Sequence, residues 1–248
     1  MKKLFLLIFI IAGLITGLVF ITADKAVAPV NNTTPTAKSN TSSSFDKTTF
    51  STTDPSSVWV IVNKQNPIVP KTHEPNDLVI PDVPLRVPGN ESMQLRKEAA
   101  TALESMAKQA KAANINLMLS SGYRSYNYQV DLYSGYVKTQ GQAVADTQSA
   151  RPGYSEHQTG FAADLEPTSK ICEVEDCFAD TLEGKWLAAN SYKYGYILRY
   201  TKTNQALTGY KDESWHFRYV GVKLSTMLHN TDTSSLEEFF SVSGGPNY

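Results

Sequence analysis

An uncharged apolar segment at the start of the chain limits how much of the sequence can form a globular domain. Residues 1–23 contain Lys2 and Lys3, and no charge follows them before Asp24. An apolar run of about 20 residues can cross the hydrocarbon core of a bilayer as a helix. The flanking lysines favour a cytoplasmic N-terminus. We therefore expect a single-pass membrane anchor that places the rest of the chain outside the cytoplasm.

A cleaved signal peptide is the alternative for this segment. Residues 26–28 have the Ala-x-Ala pattern of a cleavage site. Against cleavage, the apolar run exceeds the ~7–15 residues usual for a signal peptide, and Pro29 follows the pattern directly. Both alternatives predict an exported domain, either anchored to the membrane or secreted.

The composition changes twice after the apolar segment. Residues 24–57 are rich in Ser, Thr, Asn and Pro, and such segments lack the apolar side chains that offset chain entropy. We expect them to form a disordered linker. Residues 58–248 then offer about 190 residues for one domain. The chain has 23 Lys and Arg against 24 Asp and Glu, and no basic stripe indicates a nucleic-acid partner.

Helical and extended patterns alternate without a regular rhythm in residues 58–248. Short apolar runs predict strands at residues 58–62, 115–120, 197–200 and 216–220. Apolar spacings of three and four predict helices at residues 91–114, 127–139, 184–194, 222–228 and 236–240. The prolines between residues 67 and 88 predict a loop. This mixture predicts an α+β fold with a small, mainly antiparallel sheet flanked by helices.

The first candidate metal ligands lie in SEHQTGFAADL, residues 155–165. His157 and Asp164 are separated by Gly160, which allows the chain to reverse so that the two side chains converge. Asp164 follows three apolar residues, so we expect it on a buried strand. A buried aspartate is costly unless it is paired or binds a metal. The pattern predicts either a zinc site or a hydrogen-bonded His–Asp pair.

A further candidate ligand lies in DESWHFRYVG, residues 212–221. His216 begins an apolar run, and Glu213 precedes it by three residues. Three protein ligands that leave one position open are typical of catalytic zinc, whereas structural zinc has four. Glu213 could then act beside the metal without binding it. The alternative is a core histidine beside Trp215.

Arg124 lies in SSGYRSYNYQ, residues 120–129, after an apolar strand and a glycine turn. Its guanidinium suits a carboxylate or a developing oxyanion. A solvated surface arginine is the alternative.

Cys172 and Cys177 are the two cysteines of the chain. A close pair in an exported protein most often forms a disulfide, and we expect one here. A metal-binding pair is the alternative.

Together these motifs resemble one known family, the zinc D-Ala-D-Ala carboxypeptidases of the VanY type. The resemblance covers roughly residues 58–228. It rests on four segments in this order: SGYRSYNYQ, ARPGYSEHQTGFAADL, YGYILRY and ESWHFRYVG. The family implies a single zinc peptidase domain. It also implies that His157, Asp164 and His216 bind Zn²⁺.

The resemblance further implies that Glu213 acts as general base and then as general acid. Arg124 would stabilise the oxyanion and orient the substrate. Gln129 and Ser155 fall at positions that resemble substrate contacts. The implied substrate is a peptidoglycan stem peptide, from which a D,D-carboxypeptidase removes the C-terminal D-alanine.

Other functions remain open at this point. Relatives with the same motifs cleave the L,D bond of tetrapeptides, and an endopeptidase would need an open groove. A non-catalytic, zinc-bound module that binds the cell wall is a further alternative. The presence of Glu213 beside all the expected ligands argues against such a module.

Overall fold

The computed structural model describes residues 45–248, in which six strands and seven α-helices alternate. The strands are β1 (Leu78–Val79), β2 (Leu95–Arg96), β3 (Leu117–Ser121), β4 (Ala162–Pro167), β5 (Tyr196–Tyr200) and β6 (Glu213–Tyr219). The helices are α1 (Lys97–Ala112), α2 (Tyr126–Gln140), α3 (Gln142–Gln148), α4 (Leu182–Asn190), α5 (Gln205–Thr208), α6 (Val222–Asn230) and α7 (Leu236–Phe240). Short 3-10 helices span Glu91–Met93, Glu156–Thr159, Asp176–Asp180 and Ser191–Tyr194.

The central sheet has the strand order β3-β4-β6-β5, and all its pairings are antiparallel. The short strands β1 and β2 form a separate antiparallel pair. The predicted α+β fold with a small antiparallel sheet is therefore confirmed.

Side chains alternate between the two faces of this sheet and thereby separate the core from a polar face. Phe217 of β6 and Leu165 of β4 belong to the hydrophobic core. Their neighbours His216 and Asp164 consequently point to the opposite face, because successive residues of a strand alternate. The polar face of the sheet is where the candidate ligands of both strands meet.

Helix α1 packs on the core face through an apolar stripe. Its buried residues are Ala99, Ala100, Leu103, Met106 and Ala110, at the spacing expected for one helical face.

The helix was predicted to begin at Glu91 but begins at Lys97. Glu91–Met93 form a 3-10 helix instead, and β2 pairs with β1 before α1 starts. This pairing involves distant residues, so the local pattern could not reveal it.

Helix α2 agrees with the sequence prediction. Ser125 caps it by accepting a hydrogen bond from the backbone N–H of Tyr128, as N-cap serines do. Strands β3, β5 and β6 also form where apolar runs predicted them, although β6 begins earlier, at Glu213.

The strand predicted at residues 58–62 is wrong. These residues are buried, but they form no strand. Arg218 donates hydrogen bonds from Nη2 to the carbonyls of Val58 (3.0 Å) and Val60 (2.9 Å). A buried arginine therefore pairs two backbone carbonyls that a neighbouring strand would otherwise pair. The apolar side chains of the segment are buried without strand pairing.

The domain begins earlier than the boundary predicted at Val58. Residues 45–57 belong to the same compact unit as the rest of the described chain. Phe45 and Phe50 pack on Trp59, with ring centroids 5.5 Å and 5.0 Å away. Aromatic contacts of this kind help to offset the entropy of ordering a polar segment. The last part of the predicted linker is thus an ordered part of the domain.

The predicted anchor or signal segment, residues 1–23, and the linker as far as residue 44 lie outside the described residues. Within residues 45–248 no helix combines the length and apolar character needed to cross a bilayer.

Candidate active site

Asp164 and His216 face each other on adjacent strands. They are direct partners in the antiparallel register of β4 and β6, and such pairs place their side chains in contact. His216 Nδ1 lies 3.3 Å from Asp164 Oδ1. Strand pairing therefore brings together two residues that are 52 positions apart in the sequence.

His157 joins them from the 3-10 helix Glu156–Thr159, directly before β4. The helix ends at Gly160, whose φ of 71° lies in the left-handed region. A Cβ at this position would come within 2.7 Å of the Arg96 side chain, so the turn requires glycine. After this turn, His157 Nε2 lies 3.3 Å from Asp164 Oδ2.

The remote nitrogens of both histidines are engaged by other groups. His157 Nδ1 lies 2.6 Å from the carbonyl oxygen of Gly122, and His216 Nε2 lies 3.3 Å from Glu156 Oε2. A carbonyl or carboxylate partner of this kind sets the tautomer and orientation of a metal-binding histidine. The two partners leave His157 Nε2 and His216 Nδ1 to face Asp164.

These three side chains fit a zinc ion. One ligand atom from each of His157, Asp164 and His216 lies within 4.8 Å of the others, and all three residues are buried. Asp164 Oδ1 is buried without a hydrogen-bond partner, which leaves it available to a cation. Two imidazole nitrogens and one carboxylate oxygen form a donor set that zinc prefers, and three protein ligands leave a position open.

The surroundings of the site shift the pKa values of His157 and His216 in opposite directions. Burial and the positive charge of Arg124 lower the pKa of His157 to about 4. Burial also disfavours the cation of His216, but the nearby carboxylates of Asp164 and Glu156 outweigh it and raise that pKa to about 9. Asp164 itself has a pKa well below its usual range, because the two histidines outweigh the effect of burial.

Glu213 lies beside the three candidate ligands at the start of β6. Its Oε2 is 3.7 Å from His216 Nδ1. Burial raises the pKa of Glu213 to about 7. A carboxyl group with a pKa near neutrality can both accept and return a proton at physiological pH. The position and the pKa of this side chain suit a general acid–base group.

Arg124 lies between β3 and α2 at the edge of the site. Its Nη2 donates to Asp164 Oδ2 at 3.2 Å, and its Nε donates to Ser121 Oγ at 3.2 Å. The arginine is thus held by the site and is not a solvated surface residue. Its side chain is 16% exposed, so the guanidinium can still meet a ligand.

The two predicted substrate contacts have different positions. Ser155 lines the cavity that contains the candidate ligands. Gln129 is fully buried and does not line this cavity. Its Nε2 donates to Ser149 Oγ (3.1 Å) and to the carbonyl of Ala150 (2.8 Å). Gln129 therefore holds in place a segment that does line the cavity.

The cavity has a volume of about 130 Å³ and aromatic walls. Its aromatic lining residues are Tyr136, Tyr154, Tyr200, Tyr210 and Trp215. Arg124, Glu213 and the three candidate ligands line it as well. A space of this size suits one small residue near the candidate metal ligands.

Glu156 is a site residue that the sequence reasoning missed. Its Oε1 accepts hydrogen bonds from Arg199 Nε (2.8 Å) and Arg218 Nη1 (3.1 Å), while Oε2 faces His216. These arginines hold the pKa of Glu156 below its usual range although burial opposes them. An acidic residue directly before His157 was the available signal. Its partners, however, lie more than 40 positions away and meet it only in the fold.

Comparison with known proteins points to one family. The sequence model of the VanY family, D-alanyl-D-alanine carboxypeptidase, matches residues 92–222. This range contains all the candidate ligands together with Arg124 and Glu213.

Individual relatives agree with this match. The putative carboxypeptidase YodJ of Bacillus subtilis is 42% identical over 190 residues, which cover 75% of this chain and 68% of YodJ. The structure of the LD-carboxypeptidase LdcB is 41% identical with a TM-score of 0.71, over 76% of this chain and 88% of LdcB.

A second solved structure carries a metal. It is a vancomycin-resistance D,D-pentapeptidase VanY variant in complex with Zn(II), 28% identical with a TM-score of 0.58, over 73% of this chain and 97% of that one. The chain described here therefore belongs to the VanY family and is a carboxypeptidase of peptidoglycan peptides.

Proposed function

We propose that the protein is a zinc-dependent carboxypeptidase that removes the C-terminal D-alanine from peptidoglycan stem peptides. The observation that carries this proposal is the convergence of His157, Asp164 and His216 around one buried point, with Glu213 beside them. The zinc complex of the related D,D-pentapeptidase supports the choice of metal.

His157, Asp164 and His216 would hold the metal. Zinc held there would polarise the peptide carbonyl and make a water molecule acidic enough to act as the nucleophile. Glu213 would accept a proton from that water as its oxygen bonds to the carbonyl carbon, and would return the proton to the amine of D-alanine as the peptide C–N bond breaks. Arg124 donates hydrogen bonds to the carbonyl oxygen as negative charge develops on it.

The cavity also favours removal of a terminal residue. Its small volume and aromatic walls accommodate one short side chain, as a D-alanine would require. Because Arg124 is the cation beside the candidate ligands, it can also attract the carboxylate of the substrate. An endopeptidase would instead need a groove that lets the chain continue in both directions.

Two scissile bonds are compatible with this site. The family resemblance implies a D,D-carboxypeptidase acting on pentapeptides, although L,D relatives share its motifs, and the relationship to the D,D-pentapeptidase supports this choice. The second candidate is an L,D-carboxypeptidase acting on tetrapeptides. It is favoured by the higher identity and TM-score with the LD-carboxypeptidase LdcB.

Product analysis of two peptides tests the proposal. The purified full chain, loaded with zinc, would be incubated with pentapeptide and with tetrapeptide, and products would be followed by mass spectrometry. Loss of D-alanine from the pentapeptide alone establishes the D,D activity, and loss from the tetrapeptide establishes the L,D activity. If the zinc-loaded protein cleaves neither, the function is that of an endopeptidase or a wall-binding module.

Export of the domain is a separate part of the proposal. Its support is the apolar segment at residues 1–23, together with a substrate that lies outside the cytoplasm. Fractionation of cells that produce the full chain would test it. Domain found only in the cytoplasm would contradict both the anchored and the secreted form.

A further inference from the structure

A loop closed by a disulfide reaches the candidate active site. Cys172 and Cys177 are bonded, with their Cα atoms 5.5 Å apart. Within the loop, Val174 lines the same cavity as Arg124 and Glu213. Val174 is 40% exposed, and the neighbouring Ile171 is 63% exposed. The loop thus presents an apolar side chain to the cavity without burying it in the core.

The backbone of this loop adopts conformations that its residues disfavour. Cys172 and Val174 have φ values of 60° and 51°, and Lys170, just before the loop, has a φ of 59°. These values lie in the left-handed region, which is uncommon for residues other than glycine and is an outlier for a β-branched residue such as valine. Such conformations persist where the surrounding structure imposes them, and they concentrate at functional sites.

Two interactions hold the loop in place. The first is the disulfide. The second is an ion pair between Arg86 Nε and Glu173 Oε1 at 2.8 Å. Arg86 also donates from Nη1 to Ser120 Oγ of β3 at 3.1 Å. The residue before Val174 is therefore tied to the central sheet.

The position of Val174 indicates which part of a substrate it meets. A carboxypeptidase substrate can extend from the site only toward its N-terminus. Its terminal residue occupies the space beside Arg124 and the candidate metal ligands, which are buried. Val174 is more exposed and belongs to the rim of the cavity, which the preceding residue would meet if the peptide leaves the cavity on this side.

We propose that Val174 determines specificity for the side chain that precedes the terminal D-alanine, and that the disulfide loop holds it in position. This inference rests on the proposed carboxypeptidase function. The preceding residue is D-alanine in a pentapeptide and an L-diamino acid in a tetrapeptide. Val174 would thus influence the choice between the D,D and L,D bonds through apolar contact with one of these side chains.

Binding measurements test this proposal without relying on turnover. In a full chain carrying Glu213→Gln and loaded with zinc, the Kd of pentapeptide and of tetrapeptide would be measured by calorimetry. Adding Val174→Gly removes the side chain, and glycine tolerates the positive φ. We expect the Kd of the tighter-binding peptide to rise roughly fivefold, as for loss of one partly buried apolar contact. The Kd of the other peptide should change less.

Two further variants accompany this measurement. Ile171→Ser alters an exposed residue near the same loop that does not line the cavity, and it should leave both Kd values unchanged. The double variant Cys172→Ser, Cys177→Ser should act in the same direction as Val174→Gly, because it releases the loop. Zinc content should remain the same in all of them.

The possible failures are distinguishable. If Val174→Gly leaves both Kd values unchanged, or shifts both by the same factor, the specificity proposal is wrong while the carboxypeptidase function stands. If the chain with intact Glu213 cleaves neither peptide but the Val174 effect on binding is present, the proposed function alone is wrong. If neither peptide binds at all, both proposals are overturned.

Discussion

The floor and the rim of the cavity are held in place by different kinds of interaction. On the floor, His157, Asp164 and His216 are at most 5% exposed, and each is fixed by buried contacts to strands or to backbone. On the rim, the Cys172–Cys177 loop is held by one disulfide and by the partly exposed ion pair of Arg86 with Glu173. Removing a contact from the floor leaves a buried polar group unpaired. On the rim, a polar group that loses its partner can form a hydrogen bond with water, because it is partly exposed.

On the proposed function, this difference separates the residues that would bind metal and transfer protons from those that would select the peptide. A change on the floor should remove the metal or the proton transfer, because buried unpaired groups are costly and tolerate little displacement. A change on the rim should alter which peptide binds and leave the metal in place. The following predictions test that division, beginning with the largest expected effect.

His216→Ala should abolish zinc binding at stoichiometric metal concentrations. It removes one of the three candidate ligands, and two side chains rarely hold zinc alone. Metal analysis of the purified variant is the measurement. His229→Ala is the matched control, because His229 stacks on Tyr192 away from the site and should keep full zinc content. Normal zinc content in His216→Ala would refute the ligand assignment.

Glu213→Gln should keep zinc and lose turnover. General acid–base catalysis contributes roughly 100- to 10,000-fold, so kcat should fall within that range. Steady-state kinetics together with metal analysis would show it. Asp212→Asn changes the adjacent carboxylate and should have a much smaller effect. Near-normal kcat in Glu213→Gln would exclude the acid–base role.

Glu156→Gln should weaken zinc binding without removing a ligand. Residues that orient a metal-binding histidine typically contribute about 10- to 100-fold to metal affinity, and Glu156 faces His216 Nε2. Competition with a chelator would measure the change. Glu175→Gln, an exposed carboxylate in the disulfide loop, serves as the control. Unchanged affinity in Glu156→Gln would mean that the buried arginine cluster serves stability alone.

The double variant Cys172→Ser, Cys177→Ser should affect the rim and spare the floor. Closing so short a loop stabilises the fold by about 2 kcal/mol in the chain-entropy account, so unfolding in denaturant should become easier by that amount at most. Zinc affinity should stay at the wild-type value. A loss of zinc affinity in this variant would show that the rim also stabilises the floor. It would contradict the proposal that the two regions have separate roles.

The site was more predictable than the fold around it. Spacing alone left a His–Asp pair and a core histidine as alternatives, and it was the resemblance of the motifs to the VanY family that implied roles for His157, Asp164, His216 and Glu213. Glu156 was not predicted, because its role beside His216 depends on Arg199 and Arg218, which contact it only in the folded domain.

Local patterns failed wherever distant residues decide the backbone. The apolar run at residues 58–62 is buried as expected for a strand, yet the carbonyls of Val58 and Val60 accept hydrogen bonds from Arg218 and not from a neighbouring strand. Phe45 and Phe50 lie in a polar segment and become part of the domain through Trp59. In both regions the deciding partner lies outside any local window of sequence.

The sequence by itself determined the resemblance to the family, through motifs of specific spacing that implied the candidate ligands, and its short-range periodicity predicted most helices and strands. Only the tertiary structure decided how His157, Asp164 and His216 converge and which arginines fix Glu156. The position of Val174 at the rim of the cavity is likewise visible only in the tertiary structure. These features depend on strand register and long-range contacts, whose geometry follows from how the whole domain packs.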